Sequence, residues 1–244
     1  MSDSCQIGSA VEEAYAKLTT PLDVAALLPD NLGKWPVSLP MAKWLAAAIH
    51  SLRRSAVLEF GPGWSSLIIA EALAANGGGR LTSIEHQPQY VRPDVWDRVQ
   101  RKSSVDAVLV VTELRRTFST HGLLWAYRGL HRRISSRAPF DLVFIDAPPS
   151  PQYGRISTVH DAYPFLAPGA VIILDDAARP QEQTAVARWL STYPSLKLVI
   201  LDVAAGRGIA VLVHEGTPRR RLDIRAAAAT LLDYWRELRR TDQR

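Results

Sequence analysis

From residue 55 onward the chain alternates two kinds of segment. Short, nearly unbroken apolar runs recur at 56–60, 81–85, 107–111, 142–146 and 171–175. Each is too short for a typical helix and lacks the in-out alternation of a half-exposed strand. That is the pattern of a strand covered on both faces. Segments with helical spacing separate them, at 65–75, 90–101, 123–135 and 156–165. Strands alternating with helices predict a doubly wound α/β sheet that is mostly parallel. The end breaks the rhythm. After a helix at 181–193, the runs 197–202 and 209–214 are joined by only six residues, Val203 to Gly208. So short a connection permits an antiparallel hairpin but no parallel crossover. Seven strands are therefore expected, the last ones forming an antiparallel hairpin.

The flanks differ from this core. Upstream, 11–18 and 22–28 are short helical candidates, Pro29, Asn31, Gly33 and Pro36 interrupt, and 38–52 is a longer amphipathic helix with Ser38 as N-cap and Pro40 in its first turn. A final helix is expected at 222–240. The chain thus divides into an N-terminal helical cap or extension (1–54), a core (55–215) and a basic C-terminal helix (216–244), the last belonging to the same single domain.

The most informative stretch runs Val57-Leu58-Glu59-Phe60-Gly61-Pro62-Gly63-Trp64-Ser65-Ser66. A buried strand ends, two glycines turn the chain, and a helix opens near Ser65. Glycine permits positive φ and removes the Cβ that would keep a ligand from the backbone. A serine at the helix start leaves other N–H groups of the first turn aimed above the strand. A dinucleotide would bring a pyrophosphate, which favours a G-x-G-x-x-G turn free of carboxylates. Here Ser66 stands at the last position of that spacing. Glu59 places a carboxylate beneath the turn, which suits an α-ammonium group and opposes a phosphate. A purely structural turn is the competing reading. The next apolar run ends in Glu85-His86. An acid there can accept hydrogen bonds from both ribose hydroxyls, and would do so for NAD as well. His86 either stacks on an adenine or faces solvent. In His121-Gly122-Leu123-Leu124-Trp125-Ala126-Tyr127 the aromatics are core residues or pocket walls.

The glycine turn with its preceding acid, and the order of elements ending in a hairpin, resemble class I (Rossmann-like) methyltransferases dependent on S-adenosylmethionine. The resemblance implies that Glu59, Gly61, Gly63, Ser65, Glu85, His86 and Asp146 hold that cofactor. Phe140-Asp141-Leu142-Val143-Phe144-Ile145-Asp146-Ala147-Pro148-Pro149 is similar to the family's fourth-strand motif, where a buried strand ends in an acid beside the methyl donor. The next strand ends in Asp175-Asp176. Asp146, Asp175 and Asp176 admit two roles. They could hold Mg²⁺, as catechol-type O-methyltransferases do with an Asp and an Asp-Asn pair, since oxygen-only ligands suit a hard cation. Alternatively, one is a general base. Asp176 departs from that pattern, where asparagine is usual. Asp146, Asp175 and His160 are the catalytic candidates, with packing the alternative for His160. Gly154-Arg155 and Asp175-Asp176-Ala177-Ala178-Arg179 resemble a bacterial-type subgroup of uncertain substrate. Arg155 or Arg179 could clamp an acidic acceptor or simply pair at the surface.

Composition narrows this further. The formal charge of +5 invites a nucleic-acid reading. However, Arg219, Arg220, Arg221, Arg225, Arg236, Arg239, Arg240 and Arg244 crowd into the last 26 residues, and no RNA-binding signature interleaves aromatics with them. A solvated basic helix accounts for the excess. The single cysteine, Cys5, excludes an intrachain disulfide. No run of about 18 apolar residues spans a membrane and the start does not read as a secretory signal, so a cytoplasmic enzyme is expected. O-methylation of a small molecule is the expected reaction, with a homodimer as one option. An RNA methyltransferase and a nicotinamide-dependent oxidoreductase are the alternatives.

Overall fold

The computed structural model describes residues 17–29, 37–148, 155–203, 207–216 and 224–241. The strands are β1 (Ala56–Phe60), β2 (Gly79–Glu85), β3 (Val105–Val111), β4 (Leu114–Ser119), β5 (Gly122–Tyr127), β6 (Phe140–Ile145), β7 (Leu166–Asp175), β8 (Leu196–Asp202) and β9 (Ile209–His214). Seven of them form one sheet in the order β3-β2-β1-β6-β7-β9-β8, and β4 pairs with β5 alone. The first five positions are parallel; β9 runs antiparallel to both β7 and β8. This is the doubly wound, mostly parallel sheet with a terminal antiparallel hairpin that the apolar runs predict.

The unbroken runs are explained by where their side chains go. In β1, Val57 joins one buried cluster while Leu58 and Phe60 join the other. In β6 the same split sends Leu142 and Phe144 to one face and Val143 and Ile145 to the other, and β7 repeats it. Alternating positions thus enter two cores, so neither parity can be polar without cost. Helices α2 (Leu39–Ser51), α3 (Trp64–Ala75) and α4 (Pro93–Gln100) cover the first face. The second is covered by α5 (Leu130–Ile134), α6 (Ile156–Ala162) and α7 (Pro180–Thr192). Upstream, α1 (Val24–Leu27) is a single turn within the expected 22–28 helix. Only Lys17 and Leu18 of the expected 11–18 helix lie within the described residues, and Cys5 lies outside them.

The helix expected at 123–135 is the main departure. Residues Gly122–Tyr127 form β5, the second strand of a hairpin, and only Leu130–Ile134 are helical. Tertiary packing decides it. Gly122 sits at φ +99°, and a Cβ there would stand 2.2 Å from Thr230 Oγ1 of helix α8 (Ile224–Thr241). The same hydroxyl accepts the Leu123 N–H at 2.9 Å. The terminal helix is therefore docked on β5, with Ile224, Leu231, Leu232 and Trp235 exposed on its other side. Among the described residues no helix is long and apolar enough to cross a membrane.

Candidate cofactor and active site

The strand order reverses direction between β2 and β6 on either side of β1, which opens a crevice beyond the strands' C-terminal ends. Gly61, the first residue past β1, adopts φ +94° and donates its N–H to the Ile84 carbonyl at 3.0 Å. A Cβ at Gly61 would stand 2.8 Å from Ala147 Cβ, so both conformation and close approach require glycine. At Gly63 a Cβ would meet nothing within 4 Å, because the residue faces a cavity of about 310 Å³. Gly61, Gly63, Trp64 and Ser65 form one wall of that cavity; Glu85, His86, Tyr90 and Arg92 form another; Asp146, Arg155, Asp176, Arg179 and Arg207 form the third. The Trp64 indole N–H is buried with no partner among the described residues. A wider groove of about 1090 Å³ beyond β3 shares only His86 with this cavity.

Glu59 corrects the expectation of direct cofactor contact. It is fully buried and does not line the cavity. By parity with Val57 it points to the face under α3, where three hydroxyls meet it. Ser65 Oγ donates to Oε1 at 2.6 Å, Ser66 Oγ to Oε2 at 2.6 Å, and Ser83 Oγ to Oε2 at 2.5 Å. Ser66 Oγ also accepts the Gly63 N–H at 3.1 Å. Glu59 therefore pins the first turn of α3 from beneath. Burial pushes its acid up to about 7, while the three hydroxyls pull it down.

Glu85, at the tip of β2, is placed as expected. Its Oε1 accepts the N–H groups of His86 (2.6 Å) and Gln87 (2.8 Å), which fixes the carboxylate at the cavity wall. His86 also lines the cavity, with Nδ1 2.7 Å from the same oxygen. Tyr127 is core, its ring 5.4 Å from Phe60. Trp125 packs under Arg116 and does not line the cavity.

The three aspartates do not share a point. Asp175 is buried and absent from the cavity wall; its Oδ1 accepts the Asp176 N–H at 2.8 Å. Asp176, at φ +58° in the left-handed region that Asp tolerates, lines the cavity. Between Asp146 and Asp176 lies the Arg155 guanidinium, 1% exposed. Its Nη2 donates to the Asp146 carbonyl (2.7 Å), Asp146 Oδ1 (3.2 Å) and Asp176 Oδ2 (2.9 Å). Its Nη1 donates to the Asp175 carbonyl at 2.7 Å, and Nε lies 3.6 Å from Glu182 Oε1. Among the described residues no three His, Cys, Asp or Glu side chains are placed to hold a metal ion. The Mg²⁺ site expected on Asp146, Asp175 and Asp176 is therefore not formed by them: a buried cation from the protein itself stands in their midst. Asp175, expected as a catalytic residue, does not line the cavity.

Of the two aspartates that line the cavity, Asp146 is the more open, its side chain 17% exposed against 3% for Asp176. Its main-chain N–H, donated to the Phe60 carbonyl at 2.9 Å, sets it beside the glycine turn. Burial pushes its acid up to about 8, Arg155 pulls it down, and Asp175 and Asp176 push it up. His160 is elsewhere. On α6 it lies outside this cavity, stacked on His121 at 3.8 Å with Nδ1 2.7 Å from Tyr193 Oη. Burial first, then His121 and Arg188, hold its pKa well below 6.5. It packs a second, smaller cavity of about 220 Å³ and has no access to the first. Sequence reasoning missed the cavity walls supplied by Val37, Tyr90, Arg92 and Arg207, which no motif marks, and gave no role to Trp64 within the glycine turn. Gly154 and Pro149 lie outside the described residues.

A family model described as a methyltransferase domain matches residues 58–177, from β1 to just past β7. A search of curated proteins finds no match. Among solved structures, cofactor-bound Rv0187 from MTB is 21% identical, with a TM-score of 0.53 over 89% of this chain and 92% of that one. The O-methyltransferase from Bacillus cereus in complex with SAH is 18% identical, with a TM-score of 0.55 over 84% and 91%. The O-methyltransferase TomG from Streptomyces achromogenes, involved in tomaymycin synthesis and in complex with SAM, is 20% identical, with a TM-score of 0.53 over 88% and 100%. At these identities the likeness speaks to the fold, and the domain match adds the family. With the glycine turn, the acid at the tip of β2 and the sheet order all in place, the chain belongs to the class I S-adenosylmethionine-dependent methyltransferases.

Proposed function

We propose that this enzyme methylates an oxygen of a small-molecule acceptor, with Asp146 as the base that takes the acceptor's proton. The donor lies across the tips of β1 and β2. Gly61 and Gly63 let its amino-acid end approach the main chain, Trp64 and Ser65 offer polar groups to it, and Glu85 holds the ribose hydroxyls through the oxygen not engaged by His86 and Gln87. That leaves the part of the cavity over β6 and β7 for the acceptor. S-adenosylmethionine supplies a methyl group already activated by its sulfonium. The acceptor oxygen's lone pair forms the new C–O bond, the S–C bond breaks with its electrons going to sulfur, and the hydroxyl proton passes to Asp146. S-adenosylhomocysteine leaves. Alignment of donor and acceptor supplies much of the rate, up to about 7–11 kcal/mol in well-oriented systems.

The carrying observation is Asp146 itself, a carboxylate facing the cavity beside the glycine turn. The O-methyltransferases among the structural neighbours support oxygen as the atom methylated. The test is product analysis with methyl-labelled S-adenosylmethionine against small phenols, alcohols, hydroxy acids and amines. O-methyl products are expected, at a rate that rises with pH up to about 8, where Asp146 ionises. Asp146→Asn should abolish that rise and lower kcat by about 10²–10⁴-fold. Products methylated only on nitrogen or carbon would overturn the assignment.

A further inference from the structure

The proposed base belongs to a group whose charges are organised from within. Asp146 and Asp176 flank Arg155 at the cavity, and Asp175 and Glu182 lie behind it. We propose that the Arg155 guanidinium stands where a divalent cation would sit among these carboxylates, so that methyl transfer runs without a metal ion and Arg155 is the positioning residue for Asp146. The proposal rests on reading Asp146 as the acceptor-facing base.

Three features carry it. The first is space. Mg²⁺ requires oxygen ligands at about 2.0–2.1 Å. The gap between Asp146 Oδ1 and Asp176 Oδ2 is already filled by one nitrogen, Nη2, at 3.2 and 2.9 Å. A second cation would have to settle against a fixed positive charge that a guanidinium does not surrender by deprotonation. The second is direction. A cation attracts oxygens from any side, whereas the planar fork donates along set lines. Arg155 uses those lines to hold the main-chain carbonyls of Asp146, the first residue past β6, and Asp175, the last residue of the neighbouring β7. It therefore fixes where the Asp146 side chain starts as well as the oxygen it presents. The third is ligand supply. One Asp175 oxygen is committed to the Asp176 N–H, and Asp176 also meets Arg179 Nη1 at 3.0 Å. The oxygens of Asp146 and Asp176 that face each other thus already answer to N–H groups, while Asp175 Oδ2, Asp176 Oδ1 and Glu182 Oε2, on the buried side of the fork, accept no hydrogen bond among the described residues.

The test has one arm that needs no acceptor. Manganese(II) titrated with the wild-type protein, with S-adenosylhomocysteine present, should keep its free-ion paramagnetic resonance signal. With the best acceptor of the panel above, chelation by EDTA should leave the rate unchanged. Arg155→Ala should lower kcat by about 10²-fold or more, a loss of the size expected for misplaced reacting groups. Its affinity for S-adenosylhomocysteine should hold, methylguanidinium should restore part of the rate, and the rise of rate with pH should move to higher pH because the charge that lowers the Asp146 pKa is gone. Should Arg155→Ala not fold, Arg155→Lys keeps the charge and loses the fork, and is expected to lower kcat while sparing KM. Stoichiometric manganese binding, loss of activity with EDTA, or an Arg155 variant as active as wild type would each overturn the proposal. An Asp146→Asn enzyme of undiminished kcat would instead sink the base assignment, while the manganese result would stand independently.

Discussion

Replacing Glu59 by glutamine removes a negative charge from beneath the glycine turn while keeping its shape. Glu59 is fully buried, and its acid is raised from 4.5 to about 7, mainly by burial. A group whose pKa is raised by folding contributes stability that is complete below its unfolded pKa and is lost as pH climbs through the folded one. The window is therefore pH 4.5 to about 7. At 1.36 kcal/mol per pH unit, the shift corresponds to about 3 kcal/mol. Glutamine cannot titrate, so the variant lacks this slope. One serine hydroxyl must turn from donor to acceptor for the new amide, a cost independent of pH that drops out when slopes are compared. Thermal unfolding across this range should show wild type losing about 6–12 °C relative to Glu59→Gln as pH rises, at about 2–4 °C per kcal/mol for a chain of this size. Calorimetry with S-adenosylhomocysteine should give affinities within about threefold of each other, because Glu59 does not line the cavity. Direct contact with the ammonium group would instead cost about 1.5–3 kcal/mol, or roughly 10- to 150-fold. Parallel pH curves, or an affinity loss of that size, would refute the reasoning.

Gly61→Ala should abolish detectable S-adenosylhomocysteine binding or unfold the β1 turn, since the new methyl meets Ala147 Cβ at 2.8 Å and φ +94° is strained for alanine; circular dichroism separates the two outcomes, and a variant that binds normally would contradict the close packing. His160→Asn should keep kcat within about threefold, because His160 has no place at the cofactor cavity, while the loss of its stacking on His121 lowers the melting temperature by a few degrees, about 1 kcal/mol. A collapse of kcat with unchanged stability would return His160 to the chemistry.

The parts of this molecule that could be read from sequence are those fixed by local chemistry. Strands β1, β6 and β7 are legible because both of their faces are buried, which favours apolar residues at both parities. The β8–β9 hairpin follows from the length of its connection alone. The turn at Gly61 and the carboxylates at Glu85 and Asp146 are legible because each stands at or just past the end of an apolar strand. What was not legible depends on distant partners. Leu123, Leu124, Trp125, Ala126 and Tyr127 suit helix or strand equally, and the choice falls to Gly122 against Thr230 of α8. The acid at Glu59 was visible, but its role turns on Ser83, which sits on the neighbouring strand. Asp175 and Asp176 are adjacent in sequence, yet only Asp176, at φ +58°, lines the cavity, while Asp175 is buried behind it. Arg155 was seen as a clamp for an acidic acceptor or a surface ion pair. Only the meeting of β6, β7 and α7 shows the strand ends and carboxylates that surround it.

The central claim is that the crevice over β1 and β2 takes the sulfonium donor, with Glu85 on its ribose. Isothermal titration of S-adenosylhomocysteine into wild-type protein and Glu85→Ala tests it directly. One molecule should bind each wild-type chain, and the variant should bind about 10- to 150-fold more weakly, the value of one charge-assisted hydrogen bond. Equal affinity in the two proteins, or no binding to either, would contradict the account.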